Sequence, residues 1–198
     1  YLLCAGAYVA SDFRLIHAYP GKKLKFGYFP ELRTYEGDTL WEKKRKDGID
    51  IIFAGRFIPL KHPEYMIRLA ADLKKLWEEG QSKEDTEAAF PQVLIHMAGS
   101  GQMEEELRQM AKDLQESAPF LILPAQVIFY GFQSPAAVRD RMEQSHIMVF
   151  PSNHLEGWGA VVNEAMNSGC AVVACEQAGA VPYLIKNGEN GFIFKKDY

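Results

Sequence analysis

An α/β fold built on a doubly wound parallel sheet is predicted by three features of the sequence. Short β-branched and aromatic runs alternate with amphipathic helical segments from residue 50 onward. Each run stops at a glycine, a proline or a polar turn. The runs are apolar throughout, which marks strands buried on both faces by flanking helices.

The first run, DIIFA over residues 50–54, ends at Gly55 and reads as a buried strand. After the loop GRFIPLKHP, the segment HPEYMIRLAADLKKLWEE places Met66, Leu69, Ala70, Leu73, Leu76 and Trp77 at helical spacing, with Pro63 suited to a first turn. A polar stretch, GQSKEDTEAAF, returns the chain to a second strand, QVLIHMA, stopped by Gly99-Ser100-Gly101. MEEELRQMAKDLQES follows as a helix whose acidic first turn suits the helix dipole. The rhythm continues through the strand QVIFYG, the helix PAAVRDRMEQ opened by Ser134-Pro135, the strand HIMVFP and the helix GAVVNEAMNSG. The strand CAVVACE, a short helix about VPYLIKNG and a last strand, GFIF, complete it. This order is Rossmann-like, with right-handed crossovers. Residues 1–34 stand outside it: a strand-like start, a short helix from Ser11 to Ala18, and an extended KKLKFGYFPE. The next stretch, TYEGDTLWEKKRKDG, is polar and charged as a linker is.

Composition narrows the class. The 198 residues are 47% hydrophobic, enough for a sizeable core, and the net charge of −4 argues against a nucleic-acid binder driven by phosphate neutralisation. The three cysteines, Cys4, Cys170 and Cys175, are too few and of the wrong parity for a disulfide framework. Cys170 and Cys175, five apart in an apolar run, point to opposite faces of a strand and suit buried thiols in a reducing cytoplasm. No apolar run approaches the roughly 20 residues of a membrane span. The opening YLLCAGAYVA has no basic leader, which argues against a signal peptide. Without an initial methionine, and with an abrupt end at GFIFKKDY, the sequence reads as an excised piece.

In an open parallel sheet, ligands bind outside the carboxyl ends of the strands. The loops that matter are therefore 55–62, 98–102, 131–134, 151–159 and 175–181. The first carries Arg56 and Lys61, a planar fork and a mobile point charge that can stabilise a diphosphate leaving group in place of a metal ion. Two solvated surface charges are the plainer alternative. The fourth, PSNHLEGWGAVVNEAM, sets Glu156 before Gly157-Trp158-Gly159 and Glu164 inside the next helix. The glycines let backbone approach a ligand, and the amides from Gly157 to Ala160 point at an anion. Glu164, on the helix face of Ala160 and Val161, can accept from ribose hydroxyls, and Glu156 can reach those of a transferred sugar. Alternatively, one glutamate caps the helix and the other is solvated.

The remaining loops say less. Gly99-Ser100-Gly101 is too short for a phosphate-binding P-loop and lacks its lysine, so it reads as a tight turn beside a nucleoside. Gly131-Phe132 is a wall for the base or a plain turn, and Gly179-Ala180 lines the pocket or simply turns. His96, within a strand, reads as a core residue. His62 and His154 flank the two informative loops without a catalytic assignment, and His17 and His146 receive none. No cluster has metal-ligand spacing, so no metal is expected.

Taken in order, GRFIPLK, MAGSGQMEEEL, VIFYGF, VFPSNHLEGWGAVVNEAM and AGAVPYLIKNGENGFIF resemble the carboxyl-terminal domain of retaining glycosyltransferases of the family 4 type, which have two facing Rossmann-like domains (GT-B). The resemblance covers residues 51–194, and the E-x7-E pair Glu156/Glu164 is its most specific part. It implies that Arg56 and Lys61, beside Gly55, bind the donor diphosphate, that Glu164 holds the ribose, and that Glu156 faces the donor sugar. The amides of Gly157, Trp158, Gly159 and Ala160 hold phosphate and sugar, and Gly99, Gly131 and Phe132 adjoin the base. Retention without a metal is implied, by a same-face reaction in which the leaving phosphate takes the acceptor's proton; the catalytic set is Arg56, Lys61 and Glu156. Trp158 stands where phenylalanine is commoner, and Tyr183 where many members carry glutamate.

The organisation implied is the end of an amino-terminal domain with the start of a linker over residues 1–34, a linker over 35–49, and a nucleotide-sugar-binding domain over 50–198 that is truncated at its end. The expected protein is a cytoplasmic hexosyltransferase of polysaccharide or glycolipid synthesis, with a nucleoside-diphosphate sugar as donor, no cofactor, and an acceptor held by the missing domain. Peripheral membrane association is compatible with such a role, although no basic amphipathic helix supports it. The alternatives are a noncatalytic nucleotide-sugar-binding module and another GT-B enzyme, such as an epimerase or phosphorylase. A dinucleotide dehydrogenase is disfavoured because no G-x-G-x-x-G opens the first helix.

Overall fold

A computed structural model describes residues 1–81, 91–117 and 125–196. From residue 82 on, the polar return expected over 80–90 lies outside them, as do the last two residues of the domain expected to end at 198. In chain order the elements are β1 (Leu2–Ala5), α1 (Val9–Leu15), β2 (Lys23–Phe26), α2 (Thr39–Lys43), β3 (Gly48–Ala54), α3 (Glu64–Gln81), β4 (Gln92–Ala98) and α4 (Glu104–Glu116). They continue with β5 (Ala125–Gly131), α5 (Pro135–Gln144), β6 (Ile147–Phe150), α6 (Ala160–Asn167), β7 (Ala171–Cys175), α7 (Val181–Leu184) and β8 (Gly191–Phe194). A single 3-10 turn, Pro59–Lys61, separates β3 from α3.

Strands β3 to β8 form one parallel sheet in the order β5-β4-β3-β6-β7-β8. The chain starts at the centre, winds outward to β5, crosses back, and winds outward again to β8. The expected doubly wound sheet is therefore present, with its strand order reversing between β3 and β6. Alternate residues of β3 feed two cores: Ile51 and Phe53 meet Met66, Ile67 and Leu107 of α3 and α4, while Ile52 and Ala54 meet Met142, Val162 and Ala165 of α5 and α6. Full burial of one such large side chain contributes about 1.5–3 kcal/mol.

All three cysteines are free and buried. Burial pushes the Cys170 thiol up to about 11, which leaves it unreactive. His96 is a core residue, as expected, held by Asp50 Oδ1 at 2.8 Å and Tyr130 Oη at 2.9 Å. Strands β1 and β2 form a separate parallel pair. The pair rests against the loops after β6 and β7, with the Ala7 amide donating to the Gly179 carbonyl at 2.9 Å.

The stretch read as a linker carries α2 and is docked onto α5. Glu143, 3% exposed, accepts from Arg33 Nη1 at 2.6 Å, Tyr35 Oη at 2.7 Å and Lys43 Nζ. The buried Lys44 ammonium donates to the carbonyls of Glu143, Ser145 and Ser168. Arg45 Nε reaches Asp50 Oδ2 at 3.1 Å. The charged composition of this stretch thus serves attachment as well as solvation. Sequence pattern misses the docking onto α5 because the partners there lie about a hundred residues away.

Burial alone would raise the Glu143 pKa, but hydrogen bonds from Lys43, Tyr35 and Arg33 outweigh it and lower the group from 4.5 to about 2. A carboxyl depressed by folding stabilises the fold above its unfolded pKa, and that contribution disappears as the pH falls through the folded one. Urea unfolding should therefore show the protein losing on the order of 3 kcal/mol through this group between about pH 5 and pH 2. Glu143→Gln should be less stable at pH 7 and show a flatter profile over that window; parallel profiles would refute the assignment.

Candidate functional site

The reversal of strand order between β3 and β6 opens a crevice at their carboxyl ends, where open α/β sheets bind ligands. The loop after β3 enters it with Arg56 and, through the 3-10 turn, Lys61. The loop after β6 enters with Glu156. The Lys61 ammonium and the Glu156 carboxylate meet there as an ion pair, with side chains 19% and 15% exposed. Lys61 also lies 5.5 Å from the centre of the Phe150 ring. Two of the four charged residues predicted from sequence are therefore in direct contact. Arg56 is exposed at the start of the same loop, and Glu164 is half-buried at the fifth position of α6; neither side chain bonds Lys61 or Glu156.

Backbone bonds bind these loops together. The Asn153 amide donates to the Leu60 carbonyl at 3.0 Å, which links the β6 loop to the 3-10 turn. His62 ends that turn in the left-handed region at φ 50°, a conformation that costs of order 1–3 kcal/mol and needs outside support. Support comes from both ring nitrogens: Nδ1 donates to Glu64 Oε1 at 2.8 Å, and Nε2 accepts from Asn153 Nδ2 at 3.2 Å. His62 is thus a brace for the lysine turn, and Asn153 a site residue that sequence reasoning passed over. His154 is exposed.

On the other side of the crevice, the Phe57 amide donates to the Ser100 carbonyl at 2.8 Å and the Gly99 amide to the Gly131 carbonyl at 3.0 Å. A Cβ at Gly99 would overlap the Gly55 carbonyl, so these loops cross in backbone contact. Phe132 is 81% exposed beside that crossing. The Gly55, Gly99 and Gly131 loops therefore lie together, as the sequence suggests.

The β6 loop turns into α6 through Gly159, at φ 93°. A Cβ there would come within 2.5 Å of the Phe150 ring, so both backbone conformation and space require glycine. The first amides of α6, beginning at Ala160, have no earlier helical carbonyl to bond and carry the positive end of the helix dipole. Trp158 meets the β1–β2 side of the molecule. Its ring is buried, its Nε1 donates to Asn163 Oδ1 at 2.9 Å, and it packs against Gly27, Tyr28 and Tyr183. The Tyr183 hydroxyl reaches the Gly6 carbonyl at 3.4 Å. Gly179 donates to the Glu156 carbonyl at 3.3 Å and Ala180 to that of Trp158 at 3.0 Å, so the β7 loop backs the β6 loop. Among the described residues, no group of three or more His, Cys, Asp or Glu is placed to hold a metal ion.

Residues 41–197 match the family described as Glycosyl transferases group 1. An uncharacterized glycosyltransferase of Haemophilus influenzae is 29% identical over 149 residues, covering 74% of this chain and 35% of that protein. The D-inositol 3-phosphate glycosyltransferase of Rhodococcus erythropolis is 30% identical over 154 residues, covering 73% of this chain and 29% of that protein. The crystal structure of Anabaena HepE in complex with UDP-glucose superposes with a TM-score of 0.61 at 20% identity, covering 98% of this chain and 50% of that one. That likeness is one of fold. The chain spans about a third of the length of the curated relatives it matches.

Gly159→Ala should lower the unfolding free energy by about 1–3 kcal/mol, from left-handed strain and collision with Phe150. Urea denaturation followed by circular dichroism measures it, and an unchanged midpoint would count against the assigned geometry.

Proposed function

The chain belongs to the glycosyl transferases group 1 family, and on that premise we propose that it is the donor-binding part of a retaining glycosyltransferase. Its donor is a nucleoside-diphosphate sugar. The observation that carries this reading is the meeting of Lys61 and Glu156 across the crevice between β3 and β6, beside the amino end of α6. A cation, a carboxylate and free helix amides supply what a pyrophosphate-linked sugar needs.

In this reading Arg56 and Lys61 bind the diphosphate and take up the charge that develops as the glycosidic bond breaks. The amides from Gly157 to Ala160 hold phosphate and sugar oxygens. Glu164 accepts from the ribose hydroxyls, and Glu156 from those of the donor sugar. The crossing of the Gly55, Gly99 and Gly131 loops forms the nucleoside wall, with Phe132 at its edge. The two cations make a metal ion unnecessary in the chemical step. The acceptor hydroxyl attacks the anomeric carbon from the face the diphosphate leaves, and a phosphate oxygen takes its proton, which retains configuration. UDP-glucose bound to HepE, a protein of the same fold, favours uridine as the first base to test.

Residues 1–34 are read as the end of a preceding domain, residues 35–49 as the connection, and residues 50–198 as the donor domain. The acceptor site belongs to the rest of a longer protein. We place that protein at the cytoplasmic side of envelope polysaccharide or glycolipid synthesis, as a hexosyltransferase. No helix among the described residues is long and apolar enough to cross a membrane.

Calorimetric titration with uridine, guanosine and adenosine diphosphate sugars tests the reading. One base should bind, and Arg56→Ala should weaken that binding about tenfold or more while leaving the circular dichroism spectrum unchanged. Failure of every member of the panel to bind would overturn the reading. The chain alone should transfer no labelled sugar at a useful rate; efficient transfer would show that the acceptor site is already present.

A further inference from the structure

The Lys61–Glu156 ion pair bears on which form of the nucleotide the crevice holds. Both side chains are largely buried, 19% and 15% exposed, so solvent and salt screen their attraction less than at a surface. Arg56 is exposed and bonds no other side chain among the described residues. A diphosphate can therefore engage Arg56 without competition, whereas it must take Lys61 from Glu156.

If the crevice binds nucleoside-diphosphate sugars, as read above, the two nucleotides of a transfer reaction differ at this point. A sugar-bearing donor brings hydroxyls that can donate to the Glu156 carboxylate as Lys61 turns to the phosphates, so both charged groups keep partners. The nucleoside diphosphate left after transfer brings no such hydroxyls, and its terminal phosphate carries additional negative charge. Glu156 then stands without its cationic partner, which is costly in a poorly solvated place.

We infer that Glu156, besides receiving the donor sugar, acts through Lys61 by competing with the diphosphate for the ammonium. The competition biases the site toward the sugar-bearing donor and against the spent nucleotide. Re-formation of the ion pair assists departure of the leaving group.

The test is calorimetric titration of UDP and UDP-glucose, or of their guanosine or adenosine counterparts if the panel selects those. The proteins are the unmodified chain, Glu156→Gln, Lys61→Met and the double variant. Glu156→Gln should bind UDP about tenfold more tightly than the unmodified chain, with no comparable gain for UDP-glucose. In the Lys61→Met background the same substitution should change UDP affinity by less than about twofold, which a general loosening of the loop would not reproduce. Equal or weaker binding of UDP to Glu156→Gln, or an equal gain without Lys61, overturns the inference and leaves the donor-site reading standing. Failure of the unmodified chain to bind either form removes both. Glu156→Asp withdraws the carboxylate by one methylene and should shift UDP affinity in the same direction; it serves as the second variant if Glu156→Gln does not fold.

Discussion

The reversal of strand order between β3 and β6 is the constraint on which the site depends. In a parallel sheet, neighbouring strands deliver their carboxyl-terminal loops to the same edge. Where the winding changes direction, the two adjacent loops diverge to opposite faces and leave a gap. Lys61 comes from one side of that gap and Glu156 from the other, although 95 residues separate them. Neither loop could present its charge there without the buried strand beneath it. Ile52, Met148 and Val172, all fully buried on the face shared with α5 and α6, fix the base from which those loops spring.

Backbone does much of the remaining work. The loops after β3, β4 and β5 are joined by amide–carbonyl bonds from Gly55 to Ala98, Phe57 to Ser100 and Gly99 to Gly131. On the other flank, Gly179 bonds Glu156 and Ala180 bonds Trp158. Side chains are excluded where these segments cross: a Cβ at Gly99 would overlap the Gly55 carbonyl, and one at Gly179 that of Gly157. The site is a frame of crossed backbone with a few charged side chains set into it, a form suited to holding fixed dipoles around a phosphate.

The sheet was legible because its strands are apolar runs closed by glycine, and strand positions such as QVLIHMA and GFIF match the observed elements residue for residue. The edge of the site was legible because the carboxyl ends of parallel strands share one side of the sheet, so the loops that carry Arg56, Lys61 and Glu156 could be singled out. Of the four charged residues grouped from sequence, the structure brings Lys61 and Glu156 into contact. The pairing of Lys61 with Glu156 was not legible, since it depends on how two loops fold back. The role of His62 was also hidden. A histidine beside a loop shows neither its positive φ nor its bond to Asn153. Trp158 reads in sequence as a pocket residue, but its contact with Gly27, which leaves room for the ring, was not readable there. The docking of residues 33–45 was invisible for a related reason: lysines and arginines in a polar stretch look solvated until their partner, the Glu143 carboxylate, is known.

That docking complements the way the β1–β2 pair is held. Arg33, Tyr35, Lys43 and Lys44 all bind the α5 region, so the chain from residue 33 onward is fastened to the six-stranded body. Upstream, Ala7 is bonded to Gly179 and Gly27 packs on Trp158. The residues between those two attachments are held as well: Tyr28 packs edge-on against Trp158, and the Glu31 carbonyl accepts from Arg139 Nη1 at 3.4 Å. The upstream contacts fall on the loops after β6 and β7, at Trp158 and Gly179, whereas the downstream ones fall on α5 and the residues after it. The β1–β2 pair therefore touches the loops after β6 and β7 directly, while residues 31–45 hold the α5 side of the body. The pair and the loop that carries Glu156 meet backbone to backbone, with Gly6 against Gly157 and Gly179, and a Cβ at Gly6 would come within 2.5 Å of the Gly157 carbonyl oxygen.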